Sequence, residues 1–319
     1  MKGRSVLVAG GAGFIGSHVV DRLVDEEPDR IVVLDNFFLG REANLDQAKR
    51  LRPDLQVIRV DAADLVEVRR AIEAFDIDIA FNLAVVPLPT SLIEPDWTVR
   101  TNVAIVTTFC ELARTGLIGQ LVHVSSSEVY GSARRVPMDE EHPHDALTPY
   151  AASKSAGDQV VRSYVNTFGV TASIVRPFNN FGPRQNAGVY AAIIPIVIAR
   201  VLDGEPIVIH GDGEQTRDFI FVRSTADLIV RSAGIAEAVG KIINLGSGFE
   251  TSMNELVRRI LGIMNRPDHP VIHADARPGD VRRHCADISL ARDLLNLQAV
   301  PLSDAELSET IEWFEAFRA

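Results

Sequence analysis

Val6-Leu7-Val8-Ala9 runs directly into Gly10-Gly11-Ala12-Gly13-Phe14-Ile15-Gly16. A short apolar run met at once by glycines reads as a buried parallel strand entering a tight turn. Residues 14–25 then follow a helical pattern, so the glycines sit between strand and helix. Glycine permits that turn and lets the backbone approach a pyrophosphate, which rests on the N-terminus of the following helix. On its own such a stretch is equally a plain flexible turn. Here a second apolar strand, 31–34, ends at Asp35, about 20 residues further on, as a dinucleotide fingerprint requires. A carboxylate there accepts both adenosine ribose hydroxyls and repels a 2′-phosphate, which favours NAD over NADP. Gly10, Gly13, Phe14, Ile15, Gly16, Asp35 and Asn36 are therefore the first expected cofactor contacts.

Working outward, strands at 57–60, 79–83, 121–125 and 171–176 alternate with helices at 65–75, 99–115 and 150–168. This order predicts an α/β fold, a doubly wound parallel sheet of the Rossmann type. After Arg176 the pattern loosens. Expected are a helix at 192–202, a short strand at 207–209 and a return to the main sheet through 219–222, 229–238 and 242–245. A helix at 253–264, a strand at 271–273 and helices near 289–294 and 304–317 follow. We divide the chain into a cofactor-binding part, 1–176 with 218–245 returning to it, and a smaller interleaved α/β substrate lobe, 177–217 with 246–319.

Asp61-Ala62 ends the third strand. Its carboxylate either meets the adenine amino group or caps the strand end. Leu83-Ala84 ends the fourth, where the chain passes under the pyrophosphate. Asn102, inside the next helix, is either a contact to the active-site loop or a surface amide. Ser125 and Pro177, at the ends of the fifth and sixth strands, complete the expected cofactor contacts.

The chain of 319 residues is 46% hydrophobic, enough for a sizeable core, and its net charge is −11. Nucleic-acid binders carry basic faces, so a nucleic-acid partner is not expected. The two cysteines, Cys110 and Cys285, lie far apart without metal-ligand spacing. They fit reduced, buried thiols and a cytoplasmic location, with no metal. No apolar run reaches membrane-spanning length.

Tyr150-Ala151-Ala152-Ser153-Lys154 places a phenol and an ammonium at i and i+4 on one helix face. A nearby ammonium stabilises the phenolate, lowers its pKa and makes Tyr150 a usable base. Lys154 can also hold the nicotinamide ribose. Such a pair alone is commonly just a solvated face. It gains weight because Ser125-Ser126-Ser127 ends the preceding strand, at the sheet edge where ligands bind in such folds. One of those hydroxyls can bind the oxygen being oxidised.

These motifs resemble the nucleotide-sugar epimerases and dehydratases of the extended short-chain dehydrogenase/reductase family. The resemblance extends through Ser125-Ser126-Ser127-Glu128-Val129-Tyr130-Gly131, Arg176-Pro177-Phe178-Asn179-Asn180-Phe181-Gly182-Pro183-Arg184-Gln185, the stretch 211–219 and Arg277-Pro278-Gly279-Asp280. It implies that Ser126 and Tyr150 bind a sugar 4-hydroxyl and that NAD takes the C4 hydride. It also implies that Asn179 and Arg217 hold a nucleotide diphosphate, while Arg277 and Asp280 reach phosphate and ribose. Ser127 adjoins the sugar. Arginine forks suit phosphates, in keeping with these assignments. A UDP-linked sugar and a homodimer are further implications.

The family shares oxidation to a 4-keto sugar and then diverges. Many 4-epimerases carry a small or neutral residue at the position of Glu128. Sugar 4,6-dehydratases and glucuronate decarboxylases resemble this chain in having Glu there. Glu128 is thus a candidate C5 base, or else a loop carboxylate paired with Arg134 or Arg135. The leading expectation is a 4,6-dehydratase with recycled NAD; a 4-epimerase, a UDP-glucuronate decarboxylase and a catalytically silent NAD sensor are the alternatives. Two departures stand out. Ser127 occupies the place of the Asp that glucose-type dehydratases use as an acid. The loop Val85-Val86-Pro87-Leu88-Pro89 is more apolar than the family pattern, and Asn82 stands where His is usual.

Overall fold

The computed structural model describes residues 1–275 and 281–318. The first part alternates strand and helix: β1 (Ser5–Ala9), α1 (Phe14–Asp25), β2 (Arg30–Asp35), α2 (Asp46–Leu51), β3 (Gln56–Arg59), α3 (Leu65–Ile72), β4 (Ile77–Asn82), α4 (Leu88–Ser91), α5 (Pro95–Arg114), β5 (Ile118–Val124), α6 (Pro149–Phe168) and β6 (Ala172–Pro177). There follow β7 (Asn179–Phe181), α7 (Ile193–Asp203), β8 (Ile207–His210), β9 (Thr216–Arg217), β10 (Phe219–Phe221), α8 (Val222–Ala233), β11 (Ile242–Leu245), β12 (Thr251–Ser252), α9 (Met253–Ile263), β13 (Val271–Ala274), α10 (Ser289–Leu295) and α11 (Asp304–Arg318).

Seven parallel strands form the main sheet in the order β11-β6-β5-β4-β1-β2-β3. The expected doubly wound α/β fold is the one observed. Successive side chains of a strand point to opposite faces, so each strand feeds two cores. Val6, Val8, Ile31 and Val33 join Val19, Leu23 and Ile229 on one face. Leu7, Ala9, Val32 and Leu34 join Ile105 and Phe109 on the other. The order reverses between β1 and β4, and that switch opens a crevice at the strands' C-terminal ends.

The expected return of residues 219–222 to the main sheet does not occur. Phe219–Phe221 pairs only with Asn179–Phe181, in a two-stranded parallel sheet. Phe219 and Phe221 are instead drawn into a third apolar cluster with Phe181, Val197, Leu256 and Phe314. The expected segment 229–238 is the end of helix α8 and a short 3-10 turn, Ala236–Ala238. Helix wins there because Thr225, Ala226, Leu228, Ile229, Val230 and Ala233 line up as one buried face. Of the returning segments, only Ile242–Leu245 joins the main sheet, beside β6.

Cys110 and Cys285 are buried free thiols. Among the described residues no helix is long and apolar enough to cross a membrane, and no cluster of His, Cys, Asp and Glu is arranged for a metal ion.

Candidate active site

The crevice at the switch is walled by Gly10, Gly13, Phe14, Ile15 and Gly16 on one side and by Leu83 and Ala84 on the other. The glycines are sterically required. Gly10 has φ +74°, and a Cβ on it would lie 2.7 Å from the Ala84 nitrogen. A Cβ on Gly16 would lie 2.0 Å from the Gly10 carbonyl oxygen. Helix α1 opens at Gly13 with no side-chain cap and no acidic residue in its first turn. Its free N–H groups and dipole are left to an anion, as a pyrophosphate would need.

Asp35 lines the same cavity and is 7% exposed. One carboxylate oxygen accepts the Ala12 amide at 2.9 Å, and the other accepts the Phe37 amide at 2.8 Å. Burial still raises its pKa. A carboxylate offers about four acceptor positions, so two remain for ribose hydroxyls. Asn36 lies beside it on the wall. Asp61 is exposed and caps its own strand end, accepting the Ala63 amide at 3.0 Å, while Asp61 and Ala62 both face the cavity. These features fit a dinucleotide.

At the inner end the wall is completed by Ser125, Tyr150 and Lys154. The Ser125 hydroxyl is buried without a partner among the described residues. Ser126 caps the 3-10 turn Ser127–Tyr130, accepting the Glu128 amide at 3.2 Å, and hydrogen-bonds the Tyr150 side chain. Glu128 is half-buried and close enough for its charge to act on Tyr150. Arg134 and Arg135, its partners in the alternative reading, pair with Asp145 and Asp139.

Tyr150 differs from the sequence expectation. Burial pushes the phenol up to about 12, Ser126 opposes this and the Glu128 charge adds to it. The Lys154 ammonium donates to the Val124 carbonyl at 2.7 Å. Burial brings Lys154 down to about 8, opposed by Asp158 one turn further along α6. Asp158 in turn holds the fully buried Arg176, whose Nε donates to it at 2.9 Å. A cationic ring beside Tyr150 would favour its phenolate.

Asn102 stands behind the wall. Its Oδ1 accepts the Val86 amide at 2.7 Å, and its Nδ2 donates to the Val86 carbonyl at 3.1 Å and to Ser153 Oγ at 2.9 Å. It therefore holds the 85–89 loop, and its amide is already engaged by these three partners. Pro177 ends β6 in register with Leu245, and the cavity wall among the described residues does not include it.

A second cavity is lined by Asn179, Asn180, Gln185, Gln215, Arg217 and Phe219, among others. Arg217 donates to the carbonyls of Thr216 and Val281 at 2.9 and 2.6 Å. The side-chain oxygens of Asn180, Gln185 and Gln215 are buried without partners among the described residues. Ser127 is buried, and its carbonyl faces His284 Nε2 at 3.4 Å; the Arg217 charge acts on that same histidine. Arg277 and Asp280 lie outside the described residues. Sequence reasoning missed Gln185 and Gln215 as lining residues, although both lie in the quoted motifs. It had no signal for Phe38, Trp97 and Asn186, which also line the first cavity.

A model of the NAD dependent epimerase/dehydratase family matches residues 6–246. The UDP-glucose 4-epimerase of Mycolicibacterium smegmatis is 34% identical over 310 residues, covering 97% of each chain. The UDP-N-acetylglucosamine 4-epimerase of Methanobrevibacter ruminantium, solved with UDP-N-acetylmuramic acid, is 34% identical and superposes with a TM-score of 0.89 over 99% of this chain and 100% of that one. A double mutant of the dTDP-glucose 4,6-dehydratase of Streptomyces venezuelae, solved with NAD, is 29% identical with a TM-score of 0.90 over 100% and 98%. The glycine turn and Asp35, the Ser126–Tyr150–Lys154 grouping and these likenesses lead to one conclusion: the chain belongs to the NAD-dependent epimerase/dehydratase family.

Proposed function

We propose that this enzyme is a nucleotide-sugar 4,6-dehydratase acting on a UDP-hexose or UDP-N-acetylhexosamine. The observation that carries this reading is the carboxylate of Glu128, set beside Tyr150 on the turn that Ser126 caps. A 4-epimerase has no need of a second base, whereas elimination does.

Gly10, Gly13, Asp35 and Lys154 would hold the cofactor, and Asn179 and Arg217 the diphosphate. When bound there, the cofactor would supply a hydride acceptor for C4 and a hydride donor for C6. Ser126 and Tyr150 bind the 4-hydroxyl, and Tyr150 takes its proton. The ketone so formed acidifies the C5 hydrogen, which Glu128 removes. The departing 6-hydroxyl needs one proton, and Glu128 now carries one. A single carboxyl thus serves both ends of the elimination, which removes the need for an acid at Ser127. Once hydride has reached C6, Glu128, reprotonated from solvent, gives C5 its proton back. Tyr150 releases to solvent the proton it took from the 4-hydroxyl. The unpartnered amide oxygens of Asn180, Gln185 and Gln215 suit the N–H edge of a pyrimidine base.

A second reading, 4-epimerisation, is favoured by the likeness to the two epimerases above. Product masses separate the readings. Loss of water from UDP-glucose or UDP-N-acetylglucosamine is expected. An unchanged mass with an inverted sugar would replace dehydration by epimerisation, and loss of carbon dioxide from UDP-glucuronate would mark a decarboxylase. Tyr150→Phe should abolish turnover of all of them; unaltered turnover would sink the whole assignment.

A further inference from the structure

Three aromatic rings from distant parts of the chain meet at the mouth of the dinucleotide cavity. Phe38 lies three residues beyond Asp35, Trp97 lies in the first turn of α5, and Tyr190 ends the 3-10 turn Gly188–Tyr190. Phe38 packs edge-on against Trp97, with ring centroids 5.4 Å apart at 76°, and against Tyr190, at 6.1 Å and 65°. Phe38 and Trp97 line the cavity, yet they remain 43% and 42% exposed. They are rim residues, wet on one side and facing the site on the other.

We propose that Phe38, Trp97 and Tyr190 form an aromatic clasp that retains the dinucleotide through repeated turnovers. The placement gives the reason. The loop after β2 carries both Asp35 and Phe38, so a ring is fixed close to the carboxylate expected to hold the ribose. Trp97 follows the 85–89 loop, which forms the opposite wall. Tyr190 belongs to a segment that faces both cavities, with Asn186 on the first and Gln185, Ala191 and Ala192 on the second. The Phe38–Tyr190 contact therefore ties the cofactor wall to the wall of the other cavity across the opening. Edge-to-face pairs of half-exposed rings are weak individually, so such a clasp opens by side-chain and loop motion without unfolding. An enzyme that returns its hydride to the same substrate gains from slow cofactor exchange, because losing the cofactor in mid-cycle strands the keto sugar.

The inference depends on the dinucleotide cavity and not on which sugar reaction follows. The test is NAD release from the full-length protein with no sugar present. The protein is loaded with NAD, passed rapidly over a sizing column and diluted, and free NAD is followed with time. Trp97→Ala and Tyr190→Ala should each release NAD roughly tenfold faster than wild type. Trp97→Phe, which keeps a ring, should stay near the wild-type rate, as should Leu92→Ala, an exposed apolar neighbour outside the clasp. Melting temperatures measured without NAD should be unchanged in all four, which separates retention from folding. Wild-type release in Tyr190→Ala, or equal acceleration in Leu92→Ala, would overturn the clasp. If a Trp97 variant melts early, Tyr190→Ala and Tyr190→Phe decide the matter alone.

Discussion

Asn102 Nδ2 and Ser153 Oγ share a 2.9 Å hydrogen bond that fastens the 85–89 loop to the helix carrying Tyr150 and Lys154. Ser153 Oγ in turn donates to the Tyr150 carbonyl at 2.7 Å. The remaining polar groups of Asn102 are satisfied by Val86, so the amide joins two walls of the site. Asn102→Ala leaves the buried Val86 amide and carbonyl without partners, at about 1–3 kcal/mol each way the loop is held. Its melting temperature should fall by several degrees, and kcat/KM should drop while the fold survives. Unchanged melting and kinetics would mean that the loop is held by something else.

Glu128→Gln separates the two roles of that carboxylate. Its charge raises the Tyr150 pKa, and Tyr150 must lose a proton to act as a base. Removing the charge should shift the rising limb of the pH profile of C4 oxidation, read as NADH formed in a single turnover, to lower pH. Deuterium from solvent should also cease to enter C5 of the sugar. Normal C5 labelling in the variant would remove Glu128 from the elimination.

Asp158→Asn tests the charges beneath the site. Asp158 and Arg176 are both fully buried, and each depends on the other. Breaking one partner of such a pair costs about 3–5 kcal/mol, because the remaining charge is left uncompensated. Urea unfolding should show a loss of that order. The Lys154 pKa should fall further below about 8, since Asp158 is the group that opposes its burial.

His18 should make the protein acid-sensitive. It is 5% exposed, its Nε2 lies 3.0 Å from the Pro183 carbonyl, and burial lowers it to about 4. The unfolded chain binds a proton near 6.5 and the folded one only near 4. Stability is therefore complete above about 6.5 and declines as pH falls towards 4, by about 2 kcal/mol for this group at pH 5. His284, lowered to about 4 as well, acts in the same sense. Urea midpoints for wild type and His18→Gln at pH 7.5 and 5 should show a smaller acid loss in the variant; equal losses would assign it to other groups.

The sheet was legible because β1 and β2 are near-continuous apolar runs, the mark of strands buried on both faces. The glycine turn and Asp35 were legible because few other residue types satisfy that geometry. The short strands were not. Thr216–Arg217 and Phe219–Phe221 are too brief for a period, and their pairing depends on partners far away in the chain. The i, i+4 spacing shows that Lys154 shares a face with Tyr150, but not that the Val124 carbonyl holds its ammonium. Phe38 and Tyr190 gave no signal, since their contact is made only in the folded chain.

The edge position of β11 bears on how the polypeptide folds as it is made. Residues 1–177 supply six of the seven main strands, yet they leave one side of β6 unpaired. They also lack Leu228, Ile229, Ile243 and Leu245, which complete the first core. A nascent chain that has emerged only to β7 thus presents a bare strand edge beside an uncovered apolar face, the two features that invite association with other chains. Only synthesis of the next 70 or so residues closes both, so a pause within that interval leaves the two exposed together.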